Sequence, residues 1–72
     1  LASLTVTALG GGVATLKLMD ISGRLIWQVH HPIIRGINIL RLQPLQVLHN
    51  GVYLLQYKDG YIFRETKVVI RH

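Results

Sequence analysis

Residues 15–30 read TLKLMDISGRLIWQVH, two alternating runs joined by a short stretch of turn formers. In the first run Leu16 and Leu18 share a face opposite Lys17. In the second, Leu25, Trp27 and Val29 oppose Gln28 and His30. A period of two belongs to a strand with one buried face, because successive Cβ atoms point to opposite sides of the pleat. Between the runs, Asp20-Ile21-Ser22-Gly23-Arg24 predicts a tight reversal. Asp20 can accept from the backbone N–H of Ser22, and Gly23 can adopt a positive φ. Arg24 then lies close enough to pair with Asp20, an exposed contact worth well under about 1 kcal/mol. The stretch reads as an antiparallel hairpin.

The same period runs outward from it. LTVTA sets Leu4, Val6 and Ala8 against Thr5 and Thr7. INILRL is apolar on both sides with Asn38 and Arg41 out of phase, which predicts a bulge. VYLLQYK is almost wholly apolar and aromatic, as a central strand would be. IFRETKVVIR alternates again, with Thr66, Val68 and Ile70 expected inward and Lys67, Val69 and Arg71 outward. Gly10 to Gly12 break the chain after the first strand, and Pro32 is expected between two strands. Asp59-Gly60 has the chemistry of a two-residue type I′ hairpin turn, which needs positive φ at both positions. QPLQVLHNG is the longest loop and should carry the chain from one sheet to the other. About six short strands, no helix and regular turn signals predict an all-β fold, a small antiparallel sandwich.

Composition narrows the classes. Seventy-two residues make one domain. A chain of this size buries only about 60% of its unfolded surface. Half of the residues are hydrophobic and 15% charged, against about 25% charged in average domains, so the surface is apolar enough to dock on something. The net charge of +5 is spread over eight separated Lys and Arg residues with no adjacent pair. That pattern fits a solvated basic surface and argues against a nucleic-acid patch. Without cysteine there is no disulfide and no thiolate nucleophile or zinc ligand. No run approaches the ~20 apolar residues of a membrane helix. LASLTVTALGGG has no basic leader and is not a signal peptide. It opens at once in strand-like residues, so residues 1–72 are expected to be one domain, an N-terminally truncated fragment of a longer protein.

Three motifs, in order, carry a more specific signal: LKLMDISGRLIW, then NGVYLLQYKDG, then TKVVIRH at the end. Together they resemble the C-terminal sorting domain of proteins exported by the type IX secretion system of Gram-negative bacteria. The matching positions are Asp20, Gly23 and Arg24, then Gly51 and Tyr53, then Lys67, Val68, Val69, Ile70 and Arg71. Asp59 and Gly60 complete the structural motif residues. The Pro-Asn-Pro segment that usually opens the family lies outside this sequence, and the loop before Gly51 is longer than usual. The resemblance implies an immunoglobulin-like sandwich of seven strands. It also implies a function: a sorting signal for a periplasmic cargo, read by the outer-membrane type IX translocon or its shuttle. A sortase-like peptidase usually removes the domain. The implied localisation runs from periplasm to outer membrane, cell surface or medium. The partners would be that machinery and the domain's own upstream cargo.

The last six residues, Lys67 to His72, are the expected recognition surface. Val68 and Ile70 would anchor the strand, while Lys67 and Arg71 project about 13 Å apart with Val69 between them. A row already ordered in a strand loses less entropy on binding than a flexible tail. The plainer reading is an edge strand guarded by Lys and Arg against aggregation. The rival function is an accessory carbohydrate- or protein-binding sandwich of a secreted hydrolase, with Trp27 and tyrosines as its platform. Trp27 is expected in or near the core, and Tyr53 is expected to bond backbone at a strand corner. His30 and His31 point to opposite faces and do not form a metal site. No catalytic set and no cofactor motif is visible. An exposed sheet edge would allow a homodimer.

Overall fold

The computed structural model describes residues 3–42 and 48–72. Six strands form among them: β1 (Ser3–Ala8), β2 (Gly12–Asp20), β3 (Leu25–Ile33), β4 (Gly36–Arg41), β5 (Gly51–Lys58) and β6 (Phe63–Ile70). They make two antiparallel sheets, β1-β4 and β3-β2-β5-β6. The fold is a small all-β sandwich, as the alternation predicts, with no helix among the described residues. Of the loop QPLQVLHNG, residues 43–47 lie outside the described residues; the strands on either side, β4 and β5, belong to different sheets.

The core lies between the sheets. The larger sheet contributes Ala14, Leu16 and Leu18 from β2 and Tyr53, Leu55 and Tyr57 from β5; the smaller contributes Ala8 and Leu40. These residues recur at every second position, so one face of each strand meets the other sheet. The hairpin at residues 15–30 forms as expected up to its bulge. Trp27 pairs with Leu18 but Leu25 with Met19, so Ile26 is an extra residue on β3. The bulge changes parity. Ile26, Trp27 and Val29 all pack on the core, whereas Leu25, expected beside Trp27, is turned outward and 50% exposed.

The bulge expected in INILRL does not form there. Residues 36–41 pair with residues 3–8 in unbroken register. The inward residues are Asn38 and Leu40, while Ile37 and Ile39 face out. Asn38 is accommodated because its amide closes the β3–β4 connection. Its Nδ2 donates to the carbonyls of Ile34 (2.8 Å) and Gly36 (3.1 Å), and its Oδ1 accepts from Ile34 N–H (3.0 Å). A half-buried amide satisfied in this way does not incur the cost of an orphaned polar group.

Two further expectations are corrected. Pro32 lies inside β3, paired with Val13, and not between strands. β3 is an edge strand, where a residue without an N–H is tolerated. Asp59-Gly60 is not a two-residue type I′ turn. Positive φ occurs only at Gly12, Gly23 and Gly36 among the described residues, and the β5–β6 loop spans residues 59–62. The Asp59 side chain determines that length. Oδ1 accepts from Tyr61 N–H (2.7 Å) and Ile62 N–H (2.9 Å), and Oδ2 from the Tyr57 hydroxyl (2.6 Å). Burial, with the bond to Asp59, pushes the Tyr57 hydroxyl up to about 12, while that same bond and the Ile62 N–H hold Asp59 low.

Candidate functional site

The DISGR turn is built by one carboxylate. Asp20 Oδ1 accepts from Ser22 N–H (3.0 Å), Ser22 Oγ–H (2.6 Å) and Arg24 N–H (2.9 Å). Oδ2 receives Arg24 Nε–H at 3.2 Å. Gly23 has φ 93°, in the left-handed region where a Cβ would be strained. The Ser22 hydroxyl first, then the Arg24 N–H, hold the Asp20 carboxyl below the usual carboxylate range. A depressed folded value means that the stabilisation is complete above about pH 3.9 and is lost as pH falls through the folded value. We expect the Ser22 and Arg24 amide resonances to titrate together below pH ~3.9, and Asp20→Asn to abolish that step. Titration of these amides near neutrality would contradict the arrangement.

The register brings the three separated motifs together. Asp20 pairs with Tyr53, and Tyr53 with Val68, so one row crosses β2, β5 and β6. One step further, Gly51 pairs with Ile70. Asp20, Arg24, Gly51 and Tyr53 border a hollow of about 420 Å³ at this end of the sandwich. The Tyr53 hydroxyl donates to the His49 carbonyl at 2.7 Å, the backbone bond expected at a strand corner. Asp59 and Gly60 are not part of this cluster; they lie at the opposite end, beyond the Thr15–Lys58 pair.

The end of β6 is held on both sides. Ile70 is buried in the core and Val68 half-buried against it. His72 N–H donates to Asn50 Oδ1 (3.0 Å), and His72 Nε2–H to the Leu48 carbonyl (2.7 Å). Lys67, Val69 and Arg71 are exposed. Strand β6 itself stops at Ile70, so Arg71, expected within the strand, lies just past the ladder, between Ile70 and the hydrogen-bonded His72. No family model, curated protein or solved structure matches the chain. The candidate site therefore stands on its own geometry.

Lys67 and Val69 are not isolated. Lys67 pairs with Leu54, Leu54 with Met19 and Met19 with Leu25, giving a row across all four strands. In the next row Val69 pairs with Val52. These residues lie on the outer face, since their strand neighbours Leu18, Tyr53 and Leu55 are in the core. Val69 is 59% exposed and Val52 38%, while Met19 and Leu54 are half-buried. The result is an apolar strip flanked by the cations of Lys67 and Arg71. Neither cation has a carboxylate within ion-pair reach; the one ion pair among the described residues is Arg24–Asp20. The run VYLLQYK reads as a strand covered on both faces, so Val52 and Leu54 escaped notice as surface residues. The signal was present in the doubly apolar pattern, but only the absence of a third layer among the described residues turns it into exposed surface.

The other end of the same face is polar. Lys17, Gln28, His30, Gln56 and Lys58, with Phe63, line a concavity of about 350 Å³. Trp27 takes no part in it; it packs towards the core, and its Nε1 is buried without a partner among the described residues. His30 is exposed and His31 half-buried, consistent with opposite faces. No group of three or more His, Asp or Glu side chains gathers among the described residues. No helix there is long and apolar enough to cross a membrane.

Proposed function

We propose that this domain is a secretion-sorting signal of the type IX kind, read by protein machinery at the outer membrane. The observation that carries the reading is the convergence of the three motifs that bear the resemblance. They are far apart in the chain, yet Asp20, Tyr53 and Val68 form one row. In this reading Asp20, Gly23 and Arg24 shape the corner, Gly51 and Tyr53 brace it, and Lys67, Val69 and Arg71 meet the receptor. The strip Leu25, Met19, Leu54 and Val52 extends that contact. Cations around an apolar centre suit a partner with carboxylates around an apolar pocket. The domain acts here as an address and carries no chemistry of its own.

The test is a reporter fused to residues 1–72 in a bacterium that has the type IX machinery. Deleting residues 67–72 is a poor probe, because it also removes Val68 and Ile70 from the core. The double substitution Lys67→Glu, Arg71→Glu leaves the core intact. It is expected to keep the circular-dichroism spectrum and Tm of the parent while export to the medium is lost. Undiminished export by the folded double variant would sink the cationic readout.

One feature favours the second reading, an accessory carbohydrate-binding module. The concavity with Phe63 between amides and lysines could seat a sugar ring against an aromatic face. Oligosaccharide-induced shifts of the Gln28 and Gln56 side-chain amides, together with export that is indifferent to the domain, would favour that reading over sorting.

A further inference from the structure

The two sheets are unequal: four strands face two. Core-facing positions on β6 are Arg64, Thr66, Val68 and Ile70, because their partners Tyr57, Leu55, Tyr53 and Gly51 define that side of β5. Ile70 is buried and Val68 half-buried, but Arg64 and Thr66 are exposed. Thr66 was expected inward; it has the inward parity but is exposed. On neighbouring β5, Tyr53, Leu55 and Tyr57 are all buried. The cover supplied by the smaller sheet therefore ends between β5 and the first half of β6.

A groove of about 290 Å³ runs along that boundary, with residues 4–7 of β1 on one side and Tyr57, Ile62 and Arg64 on the other. Successive strand residues point to opposite faces, so four in a row share only one backbone edge. The groove is thus lined by the edge of β1 that faces away from β4. That edge pairs with no strand among the described residues. It also lacks the usual guards. The edge strand β6 carries Arg64, Glu65 and Lys67, and the edge strand β3 carries Pro32, whereas β1 (SLTVTA) has neither charge nor proline.

We propose that this groove binds an extended acidic-apolar segment of another protein, which adds to β1 as the third strand of the smaller sheet. The inference is independent of the sorting reading, since it uses the core-facing side of β6 and not its outer face. Backbone pairing supplies the attachment, and the inward side chains of the guest set the specificity. Those side chains would cover Thr66, Tyr57 and Ile62, which calls for small apolar residues at alternate positions. Arg64 is the single charge in the groove and has no ion-pair partner among the described residues, which calls for one carboxylate. A second copy of this chain fits less well. Pairing β1 with its own twofold mate would bring together two chains of net charge +5 and offer Arg64 no carboxylate from β1.

The probe is a capped hexapeptide, Val-Thr-Val-Thr-Glu-Thr, titrated into the full chain and followed by amide shifts and hydrogen exchange. Alternate amides of β1 should gain protection, while the outer-face residues Val52 and Val69 stay unperturbed. Replacing Glu by Lys in the peptide should weaken binding roughly tenfold, and Arg64→Glu should reverse that preference. N-methylation of the peptide on the pairing edge should abolish binding. The proposal is overturned if the shifts avoid β1, or if the charge swap has no effect. It is equally overturned if β1 becomes protected with rising protein concentration alone, the sign of a second copy in the groove.

Discussion

Leu18→Ala is expected to unfold this domain or bring it to the edge of unfolding at room temperature. Leu18 is 1% exposed and stands where Trp27 on one side and Leu55 on the other meet it in register. Truncating a fully buried leucine costs roughly 2–5 kcal/mol, the loss of transfer energy plus the cavity left behind. A chain of 72 residues has about 4–11 kcal/mol of stability in total. Thermal denaturation followed by circular dichroism should show a drop in Tm on the order of 10–40 °C. Ile39→Ala is the matched control. Ile39 is also a branched aliphatic residue in a strand, but it is 67% exposed on the outer face of the smaller sheet. Its truncation should cost about 0.5 kcal/mol or less. Similar losses from both variants would mean that the core does not lie between these two sheets.

If the domain is read as proposed, Val69→Asp is expected to weaken docking about thirtyfold while leaving the fold standing. Val69 is 59% exposed, so the change removes little buried area and costs about 1 kcal/mol or less of strand preference. On the outer face, however, it places a carboxylate between Lys67 and Arg71 and against Val52. It would halve the local positive charge and wet the centre of the apolar strip. An anchor at the centre of an interface is worth about 2 kcal/mol, roughly thirtyfold in affinity. Reporter export measured in cells should fall accordingly. Ile39→Asp, the same chemistry on the opposite sheet, should export normally. If the two aspartate variants behave alike, the outer face of β6 is not where the domain is read.

The two results probe different levels of the same architecture. Leu18 and Val69 are both aliphatic residues in strands, and the alternation separates them: Leu18 shares a face with Leu16 opposite Lys17, whereas Val69 lies with Lys67 and Arg71. Their roles differ because Leu18 points into the space between sheets and Val69 points away from it. Where polar residues do not mark the outer side that guide is lost, so the outer strip Leu25, Met19, Leu54 and Val52 was not legible beforehand. Leu54 and Leu55 are neighbours of identical type, yet Leu55 is 4% exposed and in the core while Leu54 is half-buried on the outer face.

What the sequence determined by itself is local and short in range. The period of two set the strands, since it follows from the pleat of a single chain. The Asp20 turn was readable because its acceptor, its donors and its left-handed glycine lie within five residues. A backbone bond from Tyr53 was expected from the fold class, and its acceptor, the His49 carbonyl, lies four residues away. What the tertiary structure decided depends on partners distant in the chain. The bulge moved to Ile26, where β3 must match β2. Asn38 faces inward because β4 pairs with β1 in unbroken register and places Leu40 in the core. The bond between Asp59 and the Tyr57 hydroxyl, by contrast, spans two residues and is local; the type I′ expectation overlooked it. Above all, alternation assigns each residue to one side of a sheet but cannot say how far the opposing sheet extends. Two strands lie over four, so Arg64 and Thr66 are exposed on the side where their parity would bury them.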